Sequence, residues 1–199
     1  SISGIINGTC NYILDQMTSE NKTFSDALIS AQELGYAESD PTFDIGGFDA
    51  AHKISILAML AYGIKSPYKQ VHIEGIESIE SMDIDYAREF GYKIKHIGLV
   101  KNDNDAIECR VHPVLIHKSN IFSNVDGVMN AIRIVGDKFG TSMLYGHGAG
   151  GEATASAVVS NIIDFSNYIN QSHNKEETHA RTKKNISDIT DTSSIYYLR

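Results

Sequence analysis

Tryptophan is missing from this 199-residue sequence, proline occurs 3 times and cysteine twice, and no long apolar run appears anywhere in it. Each scarcity excludes something. The longest apolar stretches, such as residues 56–62, fall far short of the roughly 20 residues needed to cross a bilayer. Neither a transmembrane span nor a secretory signal is expected, and no membrane partner. Cys10 and Cys109 match neither a disulfide framework nor a metal-ligand spacing, so a reducing, cytoplasmic setting is the simplest one. Positive charge is also short: 17 Lys and Arg stand against 25 Asp and Glu, a formal charge of −8. A surface made for a polyanion concentrates positive charge, so nucleic acid is not an expected partner. The 8 histidines show no HxH or HxxxH spacing, and no metal site is expected from them.

What remains is an ordinary globular composition, with 42% hydrophobic residues, 21% charged residues and 16 glycines. It suits one domain with a tail. The chain begins at Ser1 without a methionine and closes on Ile195-Tyr196-Tyr197-Leu198-Arg199, which reads as the start of a strand. Both ends are therefore expected to be cut from something longer.

Periodicity orders the interior. Residues 1–7 are apolar and β-branched enough for a strand, and Asn7-Gly8-Thr9 turns the chain into a helix over 10–19, where Tyr12, Ile13 and Met17 recur at helical spacing. Thr23 is a candidate N-cap for a second helix, whose stripe of Ala27, Leu28, Ala31 and Leu34 is stopped by Gly35. Residues 36–47, with Pro41 and Gly46-Gly47, predict an irregular loop, and 49–62 a helix stopped by Gly63. Strand signals then dominate: 71–79 alternates weakly, 92–101 and 106–113 read as a hairpin turning at 102–105, and 124–135 and 143–145 add strand. Short and long helices are expected over 83–90 and 153–168. Helices first and antiparallel-looking strands later predict an α+β domain over 1–166, a mixed or antiparallel sheet covered by helices on one face. Residues 171–194 hold almost no large apolar side chains and read as a polar linker.

Three segments carry possible chemistry. In GYAESDPTFDIGGFDAAHK, from Gly35 to Lys53, the carboxylates of Glu38, Asp40, Asp44 and Asp49 face a single lysine. Asp49 and Lys53 are i and i+4, so they meet on one helix face. That is either a surface ion pair or a carboxylate-rich pocket for an ammonium group with Lys53 placed for proton transfer. The run Gly146-His147-Gly148-Ala149-Gly150-Gly151 opens a helix and suits either a tight turn or close approach of an anion or flat ring. At the first strand-to-helix turn, Thr9 is either an N-cap or a carboxylate-binding donor. Cys10 there would be the nucleophile if the protein were an acyl-transferring dehydrogenase.

Taken together, GIINGTCNYIL (4–14), AQELGYAESDPTFDIGGFDAAHKISILA (31–58) and GHGAGGEATASAVV (146–159) resemble, in order and spacing, the catalytic region of the homoserine dehydrogenase family. The resemblance covers about residues 1–166 and implies NAD- or NADP-dependent interconversion of L-homoserine and L-aspartate 4-semialdehyde, in threonine, methionine and isoleucine biosynthesis. It implies a fold like the C-terminal domains of glyceraldehyde-3-phosphate dehydrogenase-like enzymes, and a homodimer or higher homo-oligomer joined partly through the sheet. By position, Lys53 would be the catalytic lysine. Glu38, Tyr36, Asp44, Asp49 and Thr9 would bind substrate, and Gly8, Gly148, Ala149 and Gly150 would approach the cofactor. The resemblance places a nucleotide-binding Rossmann domain, a second lysine and the ligands of a monovalent cation before Ser1. It has residues 143–166 packing toward that domain, and 167–199 leading into a truncated ACT regulatory domain. Without the nucleotide domain the chain by itself is expected to be inactive. Two rivals stand beside this reading: a semialdehyde dehydrogenase acting through a thiohemiacetal on Cys10, and a non-catalytic oligomerisation or ligand-sensing module.

Overall fold

The computed structural model describes residues 1–103, 106–169, 184–195 and 197–198. In chain order the elements are β1 (Ile2–Ile5), α1 (Gly8–Ser19), α2 (Phe24–Glu33), α3 (Thr42–Ile45), α4 (Phe48–Tyr62), β2 (His72–Ile73) and α5 (Ser81–Glu89). They continue with β3 (Tyr92–Asp103), β4 (Ala106–His117), β5 (Met129–Gly136), β6 (Gly140–His147), α6 (Gly151–Ile169) and β7 (Asn185–Ile186). One sheet runs β2-β4-β3-β1-β5-β6, with β7 also on β4. β1 lies antiparallel between β3 and β5, while β2 and β7 join β4 in parallel, so the sheet is mixed as expected. Among the described residues no helix is long and apolar enough to cross a membrane.

All four residues of β1 are buried, which suits an apolar segment at the middle of a sheet. Ala50, Ala51, Ile54 and Ala58 of α4 pack with Ile6 on Val100, Ile107, Cys109 and Val111. The small alanines let the helix lie close to the sheet. Beside it, Cys10, Ile13, Leu14 and Met17 of α1 join Ala27 and Ala31 of α2, Ile84 and Ala87 of α5, and Ile94. Part of the opposite face of the sheet is covered by one turn at 121–124, whose Phe122 packs with Val125 on Ile5, Ile97 and Ala131.

Helix ends follow the local chemistry. Thr23 caps α2 by accepting from the Asp26 N–H at 3.2 Å. Gly63 ends α4 with φ of 61°, a left-handed conformation that costs glycine least. At the first turn the cap is Asn7 rather than Thr9: its Oδ1 accepts from the Cys10 N–H at 2.8 Å, so α1 starts at Gly8. Gly8 also permits close packing, since a Cβ there would lie 2.9 Å from the Val128 carbonyl oxygen.

Several elements differ from the periodicity. The loop over 36–47 contains the single turn α3. Only His72 and Ile73 of the 71–79 segment pair as strand, because the chain leaves the sheet at Gly75, packed against the Ile45 carbonyl. β3 and β4 each run to 12 residues. β4 continues through Pro113, tolerated because β2 pairs no farther along its edge than Val111. Two residues of the expected turn, 104 and 105, lie outside the described ones, as do 170–183. β6 extends to 8 residues and pairs with β5 throughout. In the tail, Ile186 of β7 packs against the α4 side of the core, so this part of the expected linker is seated on the domain. α6, in contrast, has no buried residue.

Candidate active site

The site forms where β1 ends. Past Ile5 the chain turns at Asn7, whose side chain is 5% exposed and fully engaged. Its Nδ2 donates to Asp44 Oδ1 at 2.7 Å and to Asp49 Oδ2 at 2.8 Å. Asp44 comes from α3 and Asp49 from the first turn of α4, where free backbone donors favour a carboxylate. Gly47 joins the two helices with φ of 83°, and a Cβ there would meet Ile73, the Glu74 carbonyl and His96 at 3.2–3.3 Å. One turn into α4, Lys53 Nζ donates to Asp49 Oδ2 at 2.7 Å and to the Ile6 carbonyl at 3.1 Å. The Thr9 hydroxyl donates to the Tyr36 carbonyl at 2.6 Å and lies 3.4 Å from Asp44 Oδ2. Tyr36 stands edge-on to Tyr12, ring centroids 5.1 Å apart.

Lys53 also lines a cavity of about 510 Å³. Ile6, Leu57, Ile132 and Leu144 supply apolar wall, and Asn130 and Gly148 close one side. A Cβ on Gly148 would fall 1.8 Å from Asn130 Nδ2, so a larger residue there would displace the Asn130 amide. Asn130 Oδ1 is buried without a hydrogen-bond partner. The segment that delivers Asn130 is pinned from beneath. Asn11 Nδ2 reaches the carbonyls of Val125 and Gly127, both at 2.9 Å, and the ammonium of Lys95, 1% exposed, donates to the Val125 carbonyl at 2.6 Å. Burial pushes Lys95 below its ordinary pKa while Asp126 pulls it back, leaving this cation costly but held.

A family model described as homoserine dehydrogenase matches residues 1–163. The chain belongs to the homoserine dehydrogenase family. It is 57% identical over 165 residues to the homoserine dehydrogenase of Helicobacter pylori, covering 83% of this chain and 39% of that protein. Against the Neisseria gonorrhoeae homoserine dehydrogenase it is 45% identical over 205 residues, covering 100% of this chain and 47% of the relative. A crystal structure of a homoserine dehydrogenase from Thiobacillus denitrificans superposes with a TM-score of 0.88 at 43% identity, over 94% of this chain and 45% of that one. A hyperthermophilic archaeal homoserine dehydrogenase in complex with NADPH superposes at 0.69 and 31% identity, over 84% of this chain and 47% of that one. The chain thus spans about half the length of the curated relatives it matches.

Within this chain, the residues named from sequence fall into three groups. Lys53, Asp49, Asp44, Thr9 and the Tyr36 main chain are brought together by direct contacts. Gly148 lies with Lys53 on the cavity wall, whereas Gly8, Ala149 and Gly150 do not line it. Glu38 is exposed, its main-chain carbonyl accepting from Gln32 at 3.0 Å, and its carboxylate takes no part in the network. Cys10 is unsuited to nucleophilic attack. Burial pushes its thiol pKa well up, Asp44 and Asp49 add to the rise, and Sγ donates to the Asp44 carbonyl at 3.2 Å. Asn7 and Asn130 were not singled out by sequence. Asn7 carried the signal of a strong N-cap residue, and Asn130 that of a residue rarely placed in a strand interior.

Proposed function

We propose that this chain is the substrate-binding and catalytic part of an enzyme that interconverts L-homoserine and L-aspartate 4-semialdehyde with NADP(H) or NAD(H), on the route to threonine, methionine and isoleucine. The observation that carries this reading is Lys53 Nζ, held between Asp49 and the Ile6 carbonyl beside the apolar cavity. Homoserine is a zwitterion with one reacting hydroxyl. Its ammonium needs fixed anions, which Asp44 and Asp49 supply, and its carboxylate needs donors, which the Thr9 region at the start of α1 offers. In the oxidising direction Lys53, as the neutral amine, takes the hydroxyl proton at Nζ and becomes the ammonium that Asp49 and the Ile6 carbonyl hold, and in the reducing direction that ammonium gives a proton to the aldehyde oxygen.

The cavity fits a nicotinamide. Its walls are apolar, Gly148 leaves room for a flat ring, and Asn130 places a side-chain amide on the lining. A bound dinucleotide supplies hydride acceptance and return. The solved archaeal relative with NADPH supports the cofactor class.

The organisation follows the same reading. Residues 1–166 form a catalytic and dimerisation unit, and 167–199 lead toward an ACT domain. In α6 the side chains of Val158, Ile162, Ile163, Phe165 and Ile169 are all more than half exposed, which suits packing of 143–166 on a nucleotide domain. Leu99, Arg133 and Met143 are only half-buried on the sheet face away from α4, and we assign that face to a second copy. Two buried, unpaired cysteines favour the cytoplasm. In a full-length protein carrying this chain, L-homoserine should drive reduction of NADP+ or NAD+, followed by absorbance. A folded, dinucleotide-binding protein that fails to do so would overturn the assignment.

A further inference from the structure

We infer that Asn7 is a positioning residue whose side-chain amide locks Asp44 and Asp49 into one anionic site for the substrate ammonium. The role rests on the reading of the site given above. Both hydrogens of Nδ2 are committed, one to each carboxylate, and Oδ1 is committed to the Cys10 N–H. A flipped amide would turn its oxygen onto two carboxylates and its NH2 onto an N–H, so only one orientation is satisfied. Asp44 and Asp49 reach this point from separate helices, and two anions sharing a half-buried site repel. Asn7 joins them through two charge-assisted hydrogen bonds without adding charge. A lysine or arginine there would bridge the pair as well but would cancel part of the charge that an incoming ammonium needs.

The oxygens divide accordingly. Asp49 Oδ2 takes both Asn7 and Lys53, and Asp44 Oδ1 takes Asn7. Thr9 gives its proton mainly to the Tyr36 carbonyl at 2.6 Å and makes only a longer contact, 3.4 Å, with Asp44 Oδ2. Asp49 Oδ1 is the oxygen of the pair that neither Asn7, Lys53 nor Thr9 engages, and Asp44 Oδ2 carries the weak Thr9 contact alone. The charged groups around Asn7 are Asp44, Asp49 and Lys53, with Glu77 also acting on the neighbouring Cys10.

Capping and positioning can be separated, because Asp and Ser cap helices about as well as Asn. Asn7→Ser keeps the cap but loses the amide NH2 that reaches both carboxylates; Asn7→Asp keeps cap and volume but sets a third carboxylate between the other two. In the full-length enzyme, Asn7→Ser should raise the homoserine KM about 10-fold or more with a smaller change in kcat, the loss expected for one to two charge-assisted bonds. Asn7→Asp should lower kcat/KM about 100-fold and move the acid limb of its pH profile upward, because three crowded carboxylates retain a proton. Affinity for NADP(H) should not change in either variant. If the variants fold poorly, the Asn7 side-chain NH2 resonances of the unsubstituted protein serve instead. L-homoserine should shift both of them, and N-acetylhomoserine, which lacks the ammonium, should not. Wild-type KM, kcat and pH profile in both variants, or NH2 resonances indifferent to homoserine, would reduce Asn7 to a helix cap. Absence of homoserine turnover in the unsubstituted enzyme would overturn the reading of the site together with this role.

Discussion

Lys53 and Asp49 meet at 2.7 Å across one turn of α4, with 45% of the lysine side chain and 20% of the aspartate side chain exposed. At that exposure solvent screens the pair, and its contribution to stability is at most about 1 kcal/mol. In the proposed reaction its use is chemical. Asp49→Asn should move the melting temperature by no more than about 3 °C. The same change should lower kcat/KM for homoserine about 100-fold, because Lys53 loses its anchor and the ammonium one anion. Thermal melts beside steady-state kinetics check both halves of this expectation.

Cys10 offers a second test, because the thiohemiacetal rival needs a thiolate and the structure holds a thiol. Burial pushes the pKa well up, neighbouring carboxylates push it further, and the proton is donated to the Asp44 carbonyl. Cys10→Ser keeps that donor and should retain most of the wild-type turnover. Native Cys10 should resist iodoacetamide at pH 8 under conditions that alkylate the unfolded chain. Loss of activity in Cys10→Ser, with an unchanged fold, would restore the nucleophile.

Acid sensitivity is built in beneath Gly47. His96 is 3% exposed, and burial pushes its pKa from 6.5 down to about 4, although its Nε2 donates to the Glu74 carbonyl at 3.0 Å. The unfolded chain binds a proton near pH 6.5 and the folded one does not until about pH 4. Stability is therefore lost as pH falls through that window, by about 3 kcal/mol in all. His96→Gln retains a donor for Glu74 but cannot titrate. Urea midpoints measured between pH 7 and pH 4.5 should fall more steeply for the wild type than for the variant, and parallel slopes would remove His96 as the cause.

Local chemistry was readable in the sequence, and long-range chemistry was not. Thr23, Gly35 and Gly63 punctuate helices through their own backbone preferences, and Asp49 with Lys53 needs nothing beyond helical spacing. The same applies to the α+β class, since the order of helices and strands already limits how the layers stack. Asn7 was invisible as a site residue because its partners lie 37 and 42 positions away, and only the fold brings them together. Asn130 entered the cavity wall through the β5–β6 pairing, and the shrinking of the 71–79 strand follows from the contact of Gly75 with Ile45, neither of which leaves a periodic signal. Glu38 shows the reverse. It stands in the right motif, but its carboxylate points to no partner in the network, so its part in binding rests on the resemblance alone.

The most direct test of the account is Lys53→Ala in the full-length enzyme, read as single-turnover homoserine oxidation beside NADP(H) binding. Loss of Lys53, the proton carrier in the proposed mechanism, should slow turnover by about 1,000-fold or more, while dinucleotide affinity stays near wild type. A rate close to wild type, with homoserine and dinucleotide both bound, would contradict the assignment of Lys53 as the proton carrier and with it the mechanism proposed for this site.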